Sequence, residues 1–266
     1  MDTADLAVVD AQTLVREAVW DSPGMGANAV FADARRVYMV HRDSRQIAVF
    51  DRMSGRLQHL WRTDVLPWGV VEVDNRLYVS NYGSDTVLVF DADTGTLLRR
   101  VLVGDKPALL TRMGRSVYVP LVGDEMVRLS REGRDVTYVA RVGAGTVAAV
   151  PDEDMGVLYV SNRDQHMIVV VSDVESRVRS YIGLPGSPVG LALSPNHRWL
   201  YAVDPFANEL HIVDVQRNRW VASIPTNNQG GEHGGQGIII VGDRMYITDY
   251  GSGTLSIYTL PSCALH

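Results

Sequence analysis

Short apolar runs recur along the chain, each closed by a small polar cluster. The pattern is clearest over residues 69–103, where GVVEV, RLYVSN, TVLVFD and TLLRRVLV are separated by Asp-Asn, Gly-Ser-Asp and Asp-Thr-Gly. Such residues tolerate left-handed backbone or hydrogen-bond to it, so the pattern predicts four short strands joined by tight turns. No segment carries a sustained helical period.

The same four-strand pattern returns. RRVYMVHRDS, NRLYVSNYGS, RSVYVPLVGD, GVLYVSNRDQ, RWLYAVDPFA and DRMYITDYGS share one register, set by Tyr38, Tyr78, Tyr118, Tyr159, Tyr201 and Tyr246. Neighbouring tyrosines are 40 to 45 residues apart, which is the length of a four-stranded propeller blade. The expected fold is an all-β, six-bladed β-propeller of four-stranded antiparallel blades, occupying residues 1–266 as one domain. With strands named a to d outward from the axis, the C-terminus supplies a, b and c of the last blade. The N-terminal segment is expected to add the outer strand of that blade, closing the ring by pairing the N- and C-terminal strands and removing an open edge. One c-like segment is surplus, because both DLAVVD and TLSIYTL fit that position.

Two stretches, LYVSNYGSDTVLVFDADTGTLLRRVLVGDKPAL and LALSPNHRWLYAVD, carry a YVTN-like strand, a Val-rich strand ending in Asp, and a following G-x-x-P. Through Tyr78-Val79-Ser80-Asn81, Tyr159-Val160-Ser161-Asn162, Asp91, Asp214, Pro67, Pro107 and Pro188 the chain resembles the YVTN-type repeat β-propeller family, over nearly its whole length. The resemblance implies the fold. It spans surface proteins, lactonase-like and streptogramin-lyase-like enzymes and electron-transfer subunits, so it leaves the activity open. The third blade departs from the pattern with Val119-Pro120-Leu121, where Leu121 replaces a polar turn-capping residue.

Composition narrows the function by exclusion. The formal net charge is −6, which disfavours a nucleic-acid backbone as partner. No run of eighteen apolar residues occurs and MDTADLAVVDAQT lacks a signal-peptide pattern, so a soluble, cytoplasmic protein away from membranes is expected. One cysteine, Cys263, cannot form an intrachain disulfide or a thiolate cluster. P-loop, GxGxxG, GxSxG, HExxH and CxxCH motifs are absent, and Asp91-Ala-Asp93-Thr-Gly95 reads as a hairpin turn without the Glu of a calcium loop.

Candidate chemistry sits on the loops joining b to c and d to the next a, which in propellers surround the mouth of the axial channel. Three residues after each repeat tyrosine stand His41, Asn81, Leu121, Asn162, Asp204 and Asp249. Asn and Asp there suit turn capping, whereas His41 departs in type and titrates near neutral pH. Ten residues before four of the tyrosines stand Asn28, Trp68, Ala108 and Gln236. Trp68 with Met25 offers an apolar wall, and Asn28 and Gln236 offer amides to orient a ligand. The longest inter-blade connection, PTNNQGGEHGGQG, places Glu232 and His233 among five glycines.

Two readings follow. In the first, the protein is an enzyme acting on a small molecule at the channel mouth, by lyase, isomerase or hydrolase chemistry. His233, Glu232 and His41 are then the catalytic candidates, and Trp68, Asn28, Gln236, Met25 and Asp249 bind substrate. No cofactor is demanded; a divalent metal, if present, would use His233, His41 and Asp249. In the second, the propeller is a non-catalytic scaffold presenting a face to a small ligand or a protein partner.

Overall fold

The Asp that ends each Val-rich strand organises the outer half of a blade. The computed structural model describes residues 4–130, 132–226, 237–249 and 253–265. In it, Asp51 Oδ1 accepts hydrogen bonds from the Met53 and Ser54 N–H groups and the Ser54 hydroxyl, and Asp91 repeats this with Asp93 and Thr94. The fifth turn residue is then forced into left-handed backbone, at Gly55 and Gly95 with φ of 69° and 71°, a region glycine enters without a steric penalty. The outward strand follows with a β-bulge. The register shifts between Leu57 and His59 against Val49 and Phe50, and between Leu97 and Arg99 one blade later.

Strands β3 to β6 cover residues 27–62, β7 to β10 residues 67–102, β11 to β14 residues 111–141, β15 to β18 residues 146–183, and β19 to β22 residues 191–225. Each set forms one four-stranded sheet in chain order. A sheet of three follows, β23 (Ile238–Val241), β24 (Arg244–Asp249) and β25 (Thr254–Thr259). With antiparallel blades and a single 3-10 turn at Ser262–Ala264 among the described residues, the chain is the expected all-β, six-bladed β-propeller.

The chain ends differ from the expected closure. β1 (Leu6–Val9) pairs with β2 (Arg16–Trp20) in a sheet of their own, and β25 pairs with β24. β1 and β2 form an outer half-blade with every local feature of the others. Asp10 Oδ1 accepts from the Gln12 and Thr13 N–H groups and the Thr13 hydroxyl. Glu17 is the bulged residue, and Trp20 lies against Gly55 as Trp61 lies against Gly95. Leu14 takes the left-handed place at φ 61°, at a cost of about 1 kcal/mol that a glycine would avoid. DLAVVD therefore carries its own turn and finds its partner six residues away, where closure costs little entropy.

By packing, the chain divides into two compact units, residues 1–119 with 129–136 and residues 120–128 with 137–266. In the first, Tyr38, Val40, Ile47 and Trp61 pack against Val70, Leu77, Val79 and Phe90, joining two successive blades. In the second, Tyr159, Ile168 and Val170 pack against Leu200, Ala202 and Val213 in the same way. The Ser of each YVSN segment latches its own blade to the connector entering the next. Ser80 Oγ accepts from the Gly69 N–H and donates to the Ala108 carbonyl at 2.7 Å; Ser161 Oγ accepts from the Ala148 N–H and reaches the Val189 carbonyl at 2.8 Å. Among the described residues, no helix is long and apolar enough to cross a membrane.

Candidate functional site

The residue three places after the repeat tyrosine ends strand b and lies beneath the connector leading into its blade. In the first blade that residue is His41, the last of β4 (Arg36–His41). Its ring is fully buried, and Nε2 is 2.7 Å from the Ser22 hydroxyl oxygen. Nδ1 has no partner among the described residues. A Cβ on Gly24 would overlap the imidazole, so this connector crosses the ring only because residue 24 is glycine. Hydrogen bonds from the Arg42 N–H to the Gly26 carbonyl, from the Asp43 N–H to the Met25 carbonyl, and from the Met25 N–H to Ser44 Oγ hold the connector down. Burial pushes the His41 pKa below its ordinary value, which favours the neutral ring.

Beside it, the opening of β7 (Pro67–Val73) presents Trp68. The Asn28 side-chain amide donates to the Trp68 carbonyl at 2.7 Å, tying the inner strands of two successive blades together. The Trp68 ring lies 5.3 Å from that of Tyr82, tilted by 31°, and both rings are half-buried. Tyr82 and Gly83 donate their N–H groups to the Leu66 and Val65 carbonyls, so the turn carrying Tyr82 is pinned to the connector before Trp68. Val65 and Leu66 are exposed there, as is Met25 on its own connector. The result is an aromatic pair with apolar neighbours, of the kind that holds flat ligands.

The second unit fills the same slot with Asp204, the last residue of β20 (Trp199–Asp204). Asp204 Oδ2 accepts from the Ser187 N–H, and Oδ1 from the Phe206 and Ala207 N–H groups. His211 Nε2 lies 3.4 Å from Oδ2, and its Nδ1 lies 2.7 Å from Ser223 Oγ. Burial alone would raise the Asp204 pKa; the bond to His211 and the three backbone N–H groups outweigh it and hold the carboxyl below the ordinary range. Gly186 crosses the carboxylate as Gly24 crosses His41. Asn162 occupies the slot by donating to the Val142 carbonyl and accepting from the Gln165 N–H. Leu121 fills its place as a buried apolar residue whose carbonyl accepts from Thr146 Oγ1.

Of the residues expected to act together, His41, Met25, Asn28 and Trp68 fall in the first unit, on connectors and strand ends that hydrogen-bond to one another. Asp249 ends β24 opposite Thr254. Glu232, His233 and Gln236, and the side chain of Asp249, lie outside the described residues. Among the described residues no group of three or more His, Cys, Asp or Glu is arranged to hold a metal ion. His166, expected on the loop face, occupies the left-handed turn position that Arg45, Asp85 and Asn208 occupy in other blades. Sequence reasoning missed Ser22, Gly24 and Tyr82. The glycine flanked by Pro23 and Met25, upstream of the one histidine in the ring, was the available signal for the first two.

No known protein family matches the chain, and no curated protein does. Among solved structures the chain is similar to one described as Kuenenia stuttgartiensis hydrazine synthase, at 13% identity and a TM-score of 0.62, covering 90% of this chain and 96% of that one. At that identity the likeness is one of fold.

Proposed function

We propose that this protein is a small-molecule-binding propeller whose binding surface is the connector end of its first two blades. The observation that carries this reading is the Trp68–Tyr82 pair, half-buried, pinned through its backbone, and neighboured by exposed Val65 and Leu66. Rigid aromatic faces bind flat apolar groups at little entropic cost, and the Asn28 amide fixes the backbone that carries one of them. The YVTN-type resemblance is in keeping with such a platform. Screening aromatic and heteroaromatic fragments by NMR tests the reading: hits should shift the Trp68 indole N–H, and Trp68→Ala should abolish them. Fragments that bind without touching Trp68 would displace the site, and a protein partner retained by Trp68→Ala would favour a scaffold using another face.

The second reading is an enzyme at the same connector end, a lyase, isomerase or hydrolase with His41, His233 and Glu232 in acid–base roles, or a divalent metal on His233, His41 and Asp249. What favours it is His41, an imidazole whose burial favours the neutral form, in a slot where its siblings are Asn, Asp or Leu. For this reading the 22–26 connector must lift, because it covers the ring. Turnover that survives both His41→Ala and His233→Ala would remove it. The lone cysteine suits the reducing cytoplasm, which is the compartment we propose.

A further inference from the structure

At the far end of β4 from His41, the first blade carries a cleft of about 600 Å³. Its wall is the turn Asp51–Gly55 and the start of β6 (Leu57–Arg62), with Arg36, Ser54, Arg56, Gln58 and His59 lining it. The turn is rigid. Three donors saturate Asp51 Oδ1, Gln58 Nε2 donates to Oδ2 at 3.3 Å, and Trp20 backs Gly55 from below. Gln58 is the bulged residue of its strand, and the bulge aims its amide at the turn.

The arginines around this cleft are spent unequally. Arg35 and Arg36 both bond Asp93, at 2.7 and 3.0 Å, and Arg52 donates to the Asp33 carbonyl. The Arg56 guanidinium has no partner among the described residues. Of the charged groups in the lining, Arg36 is bonded to Asp93 and Asp51 Oδ1 is filled by the donors of its own turn, which leaves Arg56 as the cation available to a ligand. The aligned positions of the next blade do not repeat the arrangement, since Thr96, Leu98 and Arg99 stand where Arg56, Gln58 and His59 do here. The His59 ring is stacked on Trp61, with centroids 6.3 Å apart, on the face of the sheet opposite the Leu57 side chain.

We propose that this cleft binds the carboxylate of a small molecule with a flat apolar body, the carboxylate on the Arg56 fork and the body against the His59 ring. A guanidinium meets a carboxylate through two parallel N–H bonds, which suits the Arg56 fork to a monoanion. This site is separate from the Trp68 surface, and neither depends on the other.

The test is titration of the full chain with benzoate, followed by NMR at the Arg56 guanidinium and the His59 imidazole. Both signals should shift and saturate, benzyl alcohol should shift neither, Arg52→Gln should leave binding unchanged, and Arg56→Gln should weaken it at least tenfold. Arg56 is exposed, so an unchanged thermal unfolding curve will certify the Arg56→Gln fold. Benzoate that leaves both signals in place, or that binds Arg56→Gln as tightly as the parent, overturns the proposal.

Discussion

His41 and Asp204 occupy the same place in their repeats, each at the end of strand b under a connector glycine, yet they are used in opposite ways. Asp204 is spent in full. Both oxygens accept backbone N–H groups, and His211 adds a further contact. His41 has one bond, to Ser22, and a second ring nitrogen with nothing bound to it among the described residues. The fifth blade thus shows what the slot does when it serves only the fold, which is to tie a connector and a turn to the strand. Against that standard, the first blade at His41 Nδ1 and the second at Asn81 Oδ1 keep buried hydrogen-bonding capacity with no partner among the described residues.

The largest expected effect is at the spent slot. Asp204→Ala strands three backbone N–H groups and the His211 contact in a buried place, and should cost about 3–5 kcal/mol in urea unfolding. Asp204→Asn, which keeps an acceptor, should cost clearly less. If alanine cost under about 1 kcal/mol, the two slots would not differ as described.

Next come the glycines that cross the two slots. A Cβ at Gly24 or Gly186 would press on His41 or Asp204 respectively, so each alanine substitution should destabilise by about 1–3 kcal/mol. Gly186→Ala should be the worse of the two, because it pushes a carboxylate off its donors. Equal effects in differential scanning fluorimetry would mean that the Asp204 bonds contribute little.

The smallest effect separates the slots by pH. His41 has a depressed pKa in the folded state, so the unfolded chain binds its proton first as pH falls. Its contribution is therefore complete above the ordinary histidine value of about 6.5 and lost below it. Asp204 is depressed below the ordinary carboxyl value of about 3.9, so its contribution persists to pH 4 and is lost under it. Replacing His41 by Asn, the residue of two sibling blades, should cost about 1 kcal/mol or less at pH 8 and flatten the stability profile between pH 6.5 and 5. An unchanged slope would show that the imidazole is not the group that titrates there.

Much of this was legible in the sequence, for a physical reason. The blade count follows from tyrosines that must be buried at every joint, and the turns from Asp and Gly at fixed offsets, so repetition averages out local ambiguity. The YVSN serine was visible as a pattern, but its latch to the next blade was not, because that bond spans 28 residues. Closure was misjudged in detail because DLAVVD and TLSIYTL both satisfy the c pattern, and only the Asp10 turn, the Glu17 bulge and the Trp20 seat show that the first belongs with β2. Tyr82 was missed because its partner, Trp68, lies on a different strand of the blade. The cleft beside Arg56 was missed because an exposed Arg and His two residues apart carry no motif.

The central claim is that the connector end of the first two blades is a ligand surface built on Trp68. Its most direct measurement is a fragment titration read at the Trp68 indole N–H in the parent protein, Tyr82→Ala and Trp68→Ala. The account predicts saturable shifts by flat aromatic fragments in the parent, binding at least tenfold weaker without Tyr82, and none without Trp68. Fragments that bind equally to all three proteins, or an indole signal that no fragment moves, would contradict it.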